Sequence, residues 1–254
     1  MSVIFLSASV PSTKRAERYL RVPDCQLHIE EAVVSLARAV FSHGGRLVFG
    51  GHPTIVPLVS MVAAEYRPTG WLGHAEQPAP MVVVYQSSAY EDVVTDGQRR
   101  MVEMGLAQER RVEAVAGEKF DPDRRGEPQC EQSLAVMRER MIVETNPDAM
   151  VCAGGMEGVE KELDMYTRLK PYNSVWLLAF TGGATAIAAE RYRNNPNVKI
   201  FDERDVLELK ARLAGRQETS PALTAEEAQL PEAVPYPYLM QLILRESNEK
   251  GLKA

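Results

Sequence analysis

The chain has 254 residues, of which 45% are apolar and 25% charged, and a formal net charge of −6. This suits one large domain with a buried core, and the acidic balance excludes a general nucleic-acid binder, which needs a basic surface. Cys25, Cys130 and Cys152 are widely spaced and odd in number, so neither a disulfide framework nor a zinc pattern follows and a reducing cytoplasm is expected.

Val3–Leu6 is a short apolar run ended by Ser7-Ala8-Ser9, which predicts a buried first strand rather than a signal peptide. Gln26–Phe41 places Ile29, Val33, Leu36, Ala37 and Val40 on one helical face, and Gly44-Gly45 stops that helix. Leu47–Phe49 predicts a second strand running into Gly50-Gly51-His52-Pro53-Thr54, then a helix over Ile55–Tyr66 with Pro57 in its first turn. Met81–Tyr85 is a β-branched strand. A helix is expected near Asp96–Met104 and a strand near Val112–Ala116, before a polar, proline-bearing loop.

Ser133–Glu144 then predicts a helix, Ala149–Val151 a buried strand, and Val159–Leu169 a helix. Val175–Ala179 is a strand that empties into Thr181-Gly182-Gly183, and Ala184–Tyr192 is helical. Val198–Phe201 closes the series of strands, with a helix at Glu203–Leu213 behind it. No stretch reaches the roughly 20 apolar residues that a membrane helix needs.

Apolar strands alternating with helices imply a Rossmann-like α/β fold, three layers deep, with a mainly parallel sheet covered on both faces. The division expected is a domain over 1–214, a linker over 215–236 and a helix over 237–254. The helix carries Leu239, Met240, Ile243 and Leu244 and packs on the core or on a second copy.

Three glycine turns follow strands, at 50–51, 154–155 and 182–183, and all fall at the carboxyl edge of such a sheet, where ligands bind. A strand that passes through glycine into a helix gathers backbone amides at one point and suits an anion. Gly50, Gly51, Gly154, Gly155, Gly158, Gly182 and Gly183 are therefore candidate phosphate contacts. Ser7, Ser9, His52, Thr54 and Thr181 could supply hydroxyl or ring donors, and Thr54 could instead cap its helix. Arg140 and Glu162 flank the strand as a cation and a carboxylate; the bland alternatives are a surface pair of Arg140 with Glu144 and a helix carboxylate favoured by the dipole. Cys152 reads as a small buried residue, with no histidine nearby to activate it. No metal or cofactor constellation is visible.

The segment MRERM…AGGMEGVEKE resembles the LOG family of phosphoribohydrolases, within the SLOG superfamily of Rossmann-like nucleotide-binding domains. LOG proteins carry an Arg-Lys pair in a helix, a strand, and PGGxGTxxE. The arginine is aligned with Arg140, the glycines with Gly154, Gly155 and Gly158, and the glutamate with Glu162. Met141, Ala153 and Val159 stand where that motif has lysine, proline and threonine, and one extra residue precedes Gly158. One inserted position is Glu157, which repels phosphate unless it points away. FGGHPTIVPLV, residues 49–59, is similar to the SLOG domains of TRPM channels and their prokaryotic relatives, some of which bind ADP-ribose.

These resemblances imply a small nucleotide-derived ligand, either ADP-ribose-like or a nucleoside monophosphate. The motif losses favour binding. The alternative is a hydrolase of LOG type, an N-glycosidase releasing a free base with Arg140 and Glu162 as catalytic residues. A homodimer is implied by resemblance alone, and a purely assembling role for the terminal helix is the third reading.

Overall fold

A computed structural model describes residues 2–12, 17–19, 25–66, 80–124, 127–213 and 234–251, with side chains to 247. Most of the expected linker, its residues 215–233, lies outside the described residues. Seven strands form one sheet: β1 (Val3–Ser9), β2 (Arg46–Gly50), β3 (Val82–Ser87), β4 (Ala107–Val112), β5 (Ala149–Gly154), β6 (Ser174–Leu178) and β7 (Val198–Phe201). Their spatial order is 4-3-2-1-5-6-7, and every pairing is parallel. The strands are apolar on both faces because helices cover both.

Alternate residues of each strand divide the core in two. Ile4, Leu6, Val151 and Ala153 face α1 (Cys25–Ser42), α2 (Val56–Glu65), α3 (Asp96–Glu103) and α7 (Glu203–Leu213). Phe5, Met150 and Cys152 face α4 (Glu131–Thr145), α5 (Glu157–Leu169) and α6 (Gly183–Tyr192). The terminal helix, α8 (Tyr236–Gly251), joins the first of these layers: Leu239, Met240, Ile243 and Leu244 are buried with the apolar face of α1.

One expected element moves. The strand placed near Val112–Ala116 is β4, Ala107–Val112, AQERRV. It is an edge strand whose middle carries Glu109, Arg110 and Arg111. Charges of this kind protect an edge from adding another chain and erase the apolar signature that a buried strand shows.

The order of strands also locates a crevice. From β1 the chain crosses to β2 through α1 on one face; from β5 it crosses to β6 through α5 on the other. The neighbouring strands β1 and β5 thus send their helices in opposite directions, and open α/β sheets bind ligands outside the carboxyl ends of such a pair.

Candidate functional site

The register of that pair sets Ser7 opposite Cys152 and Ser9 opposite Gly154. Ser7 points to the α4–α5 side, and its hydroxyl donates to Glu162 Oε2 at 2.5 Å. The other carboxylate oxygen, Oε1, lies 3.6 Å from Arg138 Nε. Arg138 is 7% exposed, and its Nε has no hydrogen-bond partner. The rest of its fork lies against the first turn of α5, since a Cβ on Gly158 would stand 3.5 Å from Nη2. Burial pushes the Glu162 carboxyl above its ordinary range, opposed first by the charge of Arg138 and then by the Ser7 hydrogen bond.

The arginine beside Glu162 is therefore Arg138. The expectation that Arg140 would hold or steer Glu162 is corrected by helix geometry. At about 100° per residue, two positions turn a side chain through about 200°. Arg140 is 55% exposed and lies 4.0 Å from Glu144, the surface pair of the alternative reading. The signal for Arg138 was present: Leu134, Met137, Arg138, Met141 and Ile142 follow the i, i+3, i+4, i+7, i+8 pattern of one buried face.

The glycine turns lie at the carboxyl edge, but most of their own amides are engaged within the protein. Gly154 donates to Thr181 Oγ1 at 2.8 Å, Gly155 to the Ser9 carbonyl at 2.7 Å, Gly182 to Ala179 and Gly51 to Tyr85. Expecting these four to offer their N–H groups to a phosphate does not match the geometry. Gly154 and Gly155 instead have φ of +59° and +87° and turn the chain from β5 into the start of α5, where Glu157 and Gly158 are half-buried. Among the described residues, no acceptor meets the amides of Met156, Glu157 and Gly158, and no side chain caps α5. These are the orphan donors that suit an anion.

The turn at 182–183 serves as a clasp on 154–155. Thr181 accepts the Gly154 amide, Thr185 Oγ1 donates to the Gly154 carbonyl at 2.8 Å, and the Ala184 amide donates to the Gly155 carbonyl at 2.9 Å. Gly183 is required there, because a Cβ would fall 2.6 Å from Gly155 O.

On the other flank, Gly50 faces α4, with Met137 Cε 3.5 Å from where its Cβ would be. His52 Nδ1 lies 2.9 Å from Thr54 Oγ1. Thr54 does not cap α2, which has no side-chain cap; its hydroxyl accepts from the Val10 amide at 3.4 Å and so ties the β2 loop to the end of β1.

Glu157 has a local counter-charge. Its field reaches Arg18 and Tyr19, which also meet Glu160 at 3.0 Å and 2.7 Å respectively. Burial, then the bond to Glu160, pushes the Tyr19 hydroxyl up to about 12. Cys152 is fully buried beneath the site, and burial raises its thiol well above the ordinary range, so it is inert packing rather than a nucleophile. Among the described residues no group of three or more His, Cys, Asp or Glu side chains could hold a metal ion. None of the described helices is long and apolar enough to cross a membrane.

This is a doubly wound, Rossmann-like α/β protein with a buried Arg–Glu pair under a helix N-terminus at its switch point. Residues 18–212 match the SLOG cluster3 family, so the chain belongs to that family. No curated protein sequence matches it. Among solved structures, it is similar to TM1055, a structural-genomics target, with 16% identity and a TM-score of 0.44 over 84% of this chain and 99% of that one. It is also similar to the molybdenum cofactor carrier protein of Chlamydomonas reinhardtii, with 14% identity and a TM-score of 0.41 over 85% of this chain and 99% of that one.

Proposed function

We propose that the chain binds a nucleotide-derived ligand, with a phosphate seated on the first turn of α5 against Arg138. The observation that carries this reading is the Arg138 fork, a buried cation whose Nε lacks a hydrogen-bond acceptor and whose Nη2 lies against Gly158, in the turn whose amides are unpaired among the described residues. A buried donor without a partner costs about 1–3 kcal/mol, and a phosphate oxygen supplies the missing acceptor while drawing on the positive end of the helix. Membership of the SLOG cluster3 family supports a nucleotide-type ligand; the resemblance of residues 49–59 suggests ADP-ribose, and the LOG-like segment from MRERM to Glu162 suggests a nucleoside monophosphate.

Glu162 favours a second reading, cleavage of a nucleoside 5′-monophosphate. Its raised carboxyl, oriented by Ser7, sits where it can accept a proton from an attacking water. Water oxygen bonds to C1′ as the C–N bond breaks; the electron pair leaves with the base, which takes up a proton, and ribose 5-phosphate remains. The carboxylate also stabilises the oxocarbenium-like sugar.

Ligand-observed proton NMR with AMP and, separately, ADP-ribose distinguishes the two. Broadened signals without new species support binding alone, whereas free adenine and ribose 5-phosphate from AMP support hydrolysis. Arg138→Met should abolish either result, and Glu162→Gln should abolish only base release. Sharp, unchanged spectra for both ligands with the wild-type chain would refute the reading.

A further inference from the structure

We propose that Tyr236, the first residue of α8, positions the Gly154–Gly155 turn, so that docking of α8 is linked to occupation of the first turn of α5. The ligand half of this inference rests on the binding reading above. The positioning half rests on geometry alone.

Helix α8 lies beyond the span that matches the family, 18–212, yet its buried face completes the core over α1. At its start the Tyr236 hydroxyl is 2.5 Å from His28 Nδ1. Its ring packs on Phe180 with centroids 5.9 Å apart, and His28 meets the same ring edge-on at 6.3 Å. The three form one buried cluster.

His28 and Phe180, the two rings against Tyr236, are each one peptide away from a residue that holds Gly154. His28 precedes Ile29, whose Cδ1 fills the space where a Gly154 Cβ would stand. Phe180 precedes Thr181, which accepts the Gly154 amide at 2.8 Å. Tyr236 thus braces the turn from two sides, once through α1 and once through the clasp after β6. That turn aims the amides of residues 156–158, which the binding reading assigns to phosphate. Removing the ring leaves Phe180 and His28 without their common neighbour and loosens both supports together. By reciprocity, a ligand that orders the turn tightens the docking of α8 to the same degree.

General stabilisation by α8 makes a different prediction. Ser247, three turns along the same helix, accepts a hydrogen bond from Trp176 Nε1 at 3.2 Å and donates to the Ile243 carbonyl at 2.7 Å, and neither partner is one of the residues that hold Gly154. Ser247→Ala is therefore the control. Amide hydrogen exchange on the full chain should show the hydrogen-bonded amides of Gly154 and Gly155 exchanging about tenfold faster in Tyr236→Ala and unchanged in Ser247→Ala. Tyr236→Phe keeps the ring on Phe180 and loses only the bond to His28, so it should give a smaller increase in the same peptide. The affinity for whichever of AMP or ADP-ribose binds the wild type should fall about fivefold or more in Tyr236→Ala. Equal exchange at Gly154 and Gly155 in wild type and both Tyr236 variants overturns the proposal, as does an equal increase in Ser247→Ala. If the wild type binds neither ligand, the binding reading fails, and the exchange data still decide whether Tyr236 positions the turn.

Discussion

Replacing Arg138 by methionine tests the electrostatics of the site directly. The substitution keeps most of the buried stem but leaves Glu162, only 14% exposed, without its cation. Breaking a buried pair from one side costs about 3 kcal/mol or more when the remaining charge cannot escape. Glu162 can escape by taking up a proton, so the cost depends on pH. Its folded-state titration already lies above the ordinary 4.5, and losing Arg138 raises it further. The folded chain then holds a proton that the unfolded chain releases, so stability falls as pH rises from about 4.5 through the folded value. The cost of Arg138→Met should therefore shrink from pH 7 to pH 5, with a slope of at most about 1.4 kcal/mol per pH unit for one proton. Guanidinium unfolding at pH 5, 6, 7 and 8 measures this. The double variant Arg138→Met/Glu162→Gln, with no buried charge left, should lose that pH dependence. An Arg138→Met curve parallel to the wild type across this range would show that the two groups are not coupled and would refute the argument.

Ser7→Ala removes the hydroxyl from Glu162 Oε2 and should cost about 2 kcal/mol, as for a hydrogen bond to a charged group; urea denaturation checks it. Gly183→Ala drives a Cβ to within 2.6 Å of the Gly154–Gly155 backbone at φ +63° and should cost about 3 kcal/mol or more. Gly117→Ala, at φ +86° with open space around it, should cost only about 1 kcal/mol of backbone strain; the pair is compared by thermal unfolding. Arg140→Ala should change stability by less than about 0.5 kcal/mol and leave AMP and ADP-ribose binding at the wild-type value by titration calorimetry, in contrast to Arg138→Met.

Much of the architecture was legible in the order of residues, because burial imposes periods that survive without coordinates. Runs such as Val82–Tyr85 and Val175–Leu178 have to be covered on both faces, which by itself calls for a parallel sheet between helix layers. The glycines at 154–155 and 183 announced backbone that other residues cannot adopt. The charged edge strand Ala107–Val112 escaped this logic, since its side chains answer to solvent and to edge protection rather than to the core.

The sequence by itself determined the fold class, the carboxyl edge as the place to look, and Glu162 with the glycines around it as residues to examine. Only the tertiary structure decided which arginine meets that glutamate, which glycine amides remain for a ligand, and what the terminal helix packs against. The reason is physical: periodicity reports that a residue is buried or turned, a local property of the chain. The partner it finds there, Arg138 for Glu162 or Thr181 for Gly154, depends on strand order and helix register between positions 24 and 27 apart in sequence, and that exists only once the sheet has been assembled.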